Sequence, residues 1–194
     1  STRFSDEWST ILPDIFSIKK IPNQRSSDLK ILFLVSKPKY SGFSEEVDRV
    51  SNFISMFPGV QLVIKPHTRG QRFNIRSGAN IFIADNSYHS SQLIDWADLI
   101  LFTMTSVIYD ALKKDKPILY MKCTHSNKLI AEEFIQSWNV ECLDDLRDFI
   151  WKFKENPKAR TYSKKDRDIF CKNTIEPQGK DVLQYYMEHI SDLM

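Results

Sequence analysis

From about residue 30 onward, short runs of β-branched and other apolar residues alternate with segments whose apolar positions recur every three or four residues. That alternation predicts a parallel sheet with crossover helices, because a strand covered on both faces reads as a continuous apolar run and a covering helix needs one apolar stripe. Residues 30–36 (KILFLVS) read as the first strand, followed by a helix that Ser44 caps and in which Val47, Val50, Ile54 and Phe57 share a face. Pro58-Gly59 ends this helix and residues 60–64 form the second strand. Further strands are expected at 81–84, 99–102, 117–121 and 140–143, with helices at about 90–96, 106–114 and 128–138 between them. The expectation is an α/β, Rossmann-like doubly wound parallel sheet of about six strands with helices on both faces. Three helices finish the chain, marked by Leu146, Phe149, Ile150 and Phe153, by a weaker pattern over 163–172, and by Val182, Leu183, Tyr186, Met187 and Ile190.

The first 29 residues differ. Trp8, Ile11, Leu12, Ile15 and Phe16 have helical spacing, but Pro13 interrupts it and residues 21–27 read as linker. Two units are therefore expected, a helical or linker segment at 1–29 and an α/β domain at 30–194. The chain begins Ser1-Thr2-Arg3, which is read as a piece of a longer protein.

Composition narrows the function. The 194 residues are 42% apolar and 27% charged, with a net charge of +2, too small to argue for a general nucleic-acid or membrane-surface protein, so any anion must be held by a local cluster. No apolar run reaches the roughly 18 residues of a membrane span. Cys123, Cys142 and Cys171 are odd in number and far apart, which favours a reducing, cytoplasmic setting and gives no zinc spacing. No metal site is expected. Neither G-x-G-x-x-G nor the P-loop pattern occurs, and no nucleophile elbow is present.

In a doubly wound sheet, ligand-contacting residues follow the strands directly. After the second strand stand Lys65, Pro66, His67, Thr68 and Arg69, and after the fourth stand Thr103, Met104, Thr105 and Ser106. An apolar strand running into hydroxyl residues and then a helix places Thr105 and Ser106 where amide hydrogens and the positive end of the helix dipole converge, as phosphate requires. Asp110, one turn on, would accept hydrogen bonds from a sugar diol. The alternative is a plain cap at Thr105 or Ser106 with Asp110 solvated. Lys65, His67 and Arg69 would neutralise a pyrophosphate; the alternative is a solvated basic loop that includes Arg72 and Arg76.

The stretches VIKPHTR (63–69) and ADLILFTMTSVIYDALKKDKPILYM (97–121) resemble the nucleotide-binding half of GT-B glycosyltransferases, above all bacterial enzymes of surface-polysaccharide and teichoic-acid assembly of the CDP-glycerol glycerophosphotransferase kind. The resemblance implies one half of a GT-B fold that binds a nucleotide-activated sugar or polyol, with Lys65 and His67 on the diphosphate or leaving group as the catalytic pair. It places Arg69, Thr105 and Ser106 on the phosphates, Asp110 near the ribose and residues 83–86 towards the base. Thr68 and Thr103-Met104 depart from the pattern, so the donor is expected to differ from CDP-glycerol. No metal cofactor is implied, since positive side chains and a helix amino terminus would stabilise the departing nucleoside diphosphate. The expected partners are that donor, a second GT-B half carrying the acceptor site and, for the intact protein, a peripheral membrane contact; nucleic acid is not among them. Two other readings stand beside a transferase: a nucleotide-sugar epimerase, and a non-catalytic scaffold in which the stripe from Trp8 to Phe16 docks a partner.

Overall fold

A computed structural model describes residues 20–21, 28–36, 44–67, 80–125 and 135–174. The elements in order are β1 (Leu29–Leu34), α1 (Ser44–Ser55), β2 (Val60–Lys65), β3 (Ile81–Ile83), α2 (Ser90–Trp96), β4 (Leu99–Phe102), α3 (Ile108–Lys113), β5 (Ile118–Tyr120), a 3-10 turn (Lys122–Thr124), α4 (Leu143–Glu155) and α5 (Lys164–Thr174). The five strands form one parallel sheet in the order β3-β2-β1-β4-β5. The expected sixth strand is reduced to one parallel bridge between Asn139 and Tyr120, because α4 starts at Leu143 and leaves no room for an extended run.

The period of two along each strand divides the core into two layers. Ile31, Phe33, Leu62, Ile64, Leu99 and Leu101 face α1 and α4, meeting Val47, Val50, Ile54, Leu146, Ile150 and Phe153. Leu32, Leu34, Val63, Ile100, Phe102, Ile118 and Tyr120 face the other way, onto Leu93 and Ile94 of α2, Ile108, Ala111 and Leu112 of α3, and Phe170 of α5. Each such Leu or Ile contributes about 1.5–3 kcal/mol when withdrawn from water. Gly59, at φ +67, makes the turn between α1 and β2 and accepts the amide of Leu29 through its carbonyl.

Two expected helix positions shift. Residues 135–138, assigned to a helix from 128, are not helical, and Trp138 is wholly buried, in edge contact with Phe102. The helix expected from Ser106 begins at Ile108 and has six residues. Ile21 is buried in the α2–α3 layer. The stripe from Trp8 to Phe16, the helix at 182–190, and Arg69, Arg72 and Arg76 lie outside the described residues.

Candidate functional site

Parallel pairing puts every strand's carboxyl end on one edge of the sheet. Leu34 is in register with Lys65 on one side and with Phe102 on the other, so the basic and hydroxyl stretches emerge at the same level. They are not on adjacent strands, however: β1 separates them, and at roughly 4.8 Å per strand their exits stand about 10 Å apart. The chain order reverses between β1 and β4, which is where open α/β sheets form their crevice.

The carboxyl edge at this reversal is tied together by Thr103. Its hydroxyl is fully buried and accepts the Ser36 amide at 2.9 Å, while its own amide donates to the Leu34 carbonyl at 3.2 Å. These bonds fix the loop leaving β1 against the turn leaving β4. Half-buried Thr105 accepts the Val107 amide at 3.4 Å through its hydroxyl, and Ser106, with its side chain exposed, accepts the Tyr109 amide through its carbonyl at 3.3 Å. Asp110 sits half-buried in the first turn of α3. With only six residues, α3 offers a weak dipole, and the polarity here rests on the hydroxyls and turn amides.

Lys65 is buried, and its ammonium donates to the Asp85 carbonyl at 2.6 Å, joining β2 to the loop after β3. Burial lowers its pKa, and the Asp85 charge opposes that shift. The Asp85 carboxylate in turn accepts the Ser87 amide at 2.7 Å and the Ser87 hydroxyl, so residues 85–87 form a side-chain-braced turn. Within the stretch expected to approach the base, Ala84 is buried and Ile83, Asp85 and Asn86 are exposed. His67 is half-buried, two residues past Lys65.

A pair missed by the sequence reading stands beyond β5. The buried Tyr120 ring stacks on Phe102 at 5.3 Å, and its hydroxyl lies 3.1 Å from His125 Nε2. β5 neighbours β4, so this histidine leaves the sheet one strand from the Thr103 turn, whereas His67 leaves two strands away. Tyr120 and His125 are only five residues apart, and the 3-10 turn at Lys122–Thr124 brings the imidazole back onto the phenol; from the sequence, Cys123-Thr124-His125 is read only as a stretch short of metal-ligand partners. Cys123 is half-buried and burial pushes its thiol up to about 11, which keeps it protonated and unreactive at neutral pH. Among the described residues no three His, Cys, Asp or Glu side chains cluster as metal ligands.

No protein-family model and no curated protein matches this sequence. Solved structures do. The wall teichoic acid polymerase TagF superposes with a TM-score of 0.53 at 14% identity, over 88% of this chain and 44% of its own. The glycosyltransferase of kitacinnamycin gives 0.51 at 14% identity, over 69% of this chain and 37% of its own. At such identity the likeness speaks for fold. The chain has the fold of one Rossmann-like half of a GT-B glycosyltransferase and spans less than half the length of these two structures.

Proposed function

We propose that the chain is the donor-binding half of a glycosyltransferase or glycerophosphotransferase of bacterial surface-polysaccharide assembly, and that it holds a nucleotide-activated sugar or polyol at the carboxyl edge of the sheet. The observation that carries this reading is the hydroxyl turn Thr103–Ser106 beside the chain-order reversal between β1 and β4. Phosphate would sit on Thr105 and Ser106, Asp110 would take the ribose diol, and the cations after β2 would balance the diphosphate. Lys65 donates one hydrogen bond to Asp85 and has no further hydrogen-bond partner among the described residues, leaving two ammonium hydrogens for a phosphate oxygen. His67 and Arg69 would flank it. The acceptor and the remaining half of the cleft would come from a second domain, so this chain alone would bind donor and transfer little.

Calorimetry against nucleoside mono- and diphosphates tests the site. Binding is expected, with Ser106→Ala and His67→Ala together weakening it by about tenfold or more, the worth of one or two charge-assisted hydrogen bonds. Undiminished affinity in the double variant would refute the assignment. The braced Lys65–Asp85 pair is the feature that favours a non-catalytic scaffold instead, and failure of the wild-type chain to bind any nucleotide would decide for it.

A further inference from the structure

Between α4 and α5 the chain crosses from one face of the sheet to the other: Phe153 and Ala159 pack in the α1–α4 layer, Tyr162 and Phe170 in the α2–α3 layer. The crossing borders a cavity of about 360 Å³ lined by Asp115, Arg160, Tyr162, Lys164 and Arg167. Asp115 lies in the turn between α3 and β5, so the cavity sits at the amino edge of the sheet, whereas the Thr103–Ser106 turn follows β4 at the carboxyl edge. None of the residues proposed to hold the donor lines it.

The lining is rich in hydrogen-bond donors and poor in acceptors. Its one carboxylate, Asp115, is shared by Arg160 at 2.9 Å and Arg167 at 2.8 Å. Arg160 also donates to the Asp115 carbonyl at 2.6 Å, so it spends two of a guanidinium's five N–H groups and keeps three. Arg167 spends one on Asp115 and two on Asp168, and keeps two. Lys164 makes no ion pair among the described residues. The three lining cations therefore exceed Asp115 by two charges, or by one when Asp168 is set against Arg167. Lys165 and Asp166, on the same turn as Lys164, offset each other. Lys164 also opens α5, in which the Asp166 amide is capped by the Ser163 hydroxyl at 3.1 Å while the amides of Lys164 and Lys165 have no acceptor within the helix. The positive end of that helix adds to the same field. Buried Tyr162, its hydroxyl donated to the Lys116 carbonyl at 2.6 Å, gives the cavity a fixed aromatic wall.

We infer that this cavity is a second anion site, separate from the donor site, and that it takes a small soluble phosphate monoester. Its volume is at the small end of the range for small-molecule sites. Its excess of one to two positive charges matches the roughly −1.5 to −2 that a monoester carries at pH 7, and guanidinium forks suit phosphate oxygens. Asp115 would compete with such a ligand for both arginines. Calorimetry with glucose 6-phosphate tests the inference, with glucose as the uncharged control, on the full chain carrying Ser106→Ala and His67→Ala so that phosphate held at the carboxyl edge does not contribute. Glucose 6-phosphate is expected to bind and glucose is not. Adding Lys164→Glu should lower the affinity by about tenfold or more, the worth of a charge-assisted hydrogen bond, without lowering the melting temperature, since that ammonium holds no ion pair among the described residues. Adding Asp115→Asn instead should raise the affinity several-fold, an effect that a cluster serving only to brace the crossing would not produce. No binding of glucose 6-phosphate, equal binding of glucose, or affinity unchanged by Lys164→Glu would each overturn it. The nucleotide titration of the wild-type chain decides the donor site separately.

Discussion

Lys116, at the amino edge, donates to two backbone carbonyls, those of Asp95 and Ala97 at 2.8 Å each, whereas Lys65, at the carboxyl edge, donates to one, that of Asp85. Burial lowers the pKa of both. The contrast extends to their surroundings. Around Lys116 the amino edge is closed by charge: Asp95 pairs with Lys114 at 2.7 Å, and Asp115 with Arg160 at 2.9 Å and Arg167 at 2.8 Å. Tyr162 donates to the Lys116 carbonyl at 2.6 Å. Around Lys65 the carboxyl edge is held by hydrogen bonds, from Lys65 to the Asp85 carbonyl and from the Ser36 amide to Thr103, and no ion pair is found there among the described residues. One edge secures the crossing of the chain with ion pairs; the other, where the proposed donor would sit, is joined by hydrogen bonds.

The largest effect expected from breaking this contrast is at Thr103. Thr103→Val keeps the volume and leaves the buried Ser36 amide without its acceptor, which should cost about 2 kcal/mol in urea unfolding. Because the bond joins the two loops of the crevice, nucleotide affinity should fall with it, although Thr103 itself is fully buried. Unchanged stability would mean that the Ser36 amide finds another acceptor, and that the carboxyl edge is less constrained than the geometry implies.

Asp115 gives the matching test at the amino edge. It holds φ +53, a left-handed conformation that a residue with a Cβ adopts reluctantly, while its carboxylate joins two arginines. The groups are part-exposed, so the ion pairs are screened and Asp115→Ala should cost about 1 kcal/mol. Asp115→Gly loses the same pairs and relieves the backbone, so it should be milder by about 0.5–1 kcal/mol. Equal losses in chemical denaturation would assign the whole effect to the ion pairs.

Much of this was legible from residue pattern. Continuous apolar runs marked all five strands, and Val47, Val50 and Ile54 on α1 and Leu146, Ile150 and Phe153 on α4 marked the faces that cover one side. The strand at 140–143 failed because pairing stops at one bridge: Val140 is buried and bonds Tyr120 and Cys123 through its backbone, but α4 begins at Leu143 and the run goes no further. The start of α3 failed because Thr105 and Ser106 suit a turn before a helix as well as a cap. The candidate site was legible in its residue types but not in its neighbours. That Thr103 binds Ser36, that Lys65 binds Asp85 and that β1 divides the two basic and hydroxyl stretches all follow from strand order, which no local spacing encodes.

The last effect, confined to alkaline conditions, separates the edges by pH. Cys123, just past the carboxyl end of β5, has its thiol raised from 9.0 to about 11, and Tyr162, at the amino edge, has its phenol raised well above 10.0, both chiefly by burial. For an acid raised on folding, the folded chain keeps a proton that the unfolded chain has lost, so its stabilisation is full below the unfolded pKa and declines as pH rises towards the folded one. Lys65 and Lys116 act oppositely: lowered on folding, they add stability as pH climbs towards 10.5. Between pH 9 and 10 the thiol, whose ordinary value is lower than that of the raised phenols Tyr109 and Tyr162, contributes its loss first. Subtracting the Cys123→Ala unfolding curve from that of the wild type cancels the lysines and should leave a decline of about 1 kcal/mol between pH 9 and 11, reduced from the full shift because the thiol is half-exposed. Tyr162→Phe should show its difference only above pH 10. A Tyr162 difference appearing at lower pH than that of Cys123 would reverse the order and make the amino edge the more easily opened of the two.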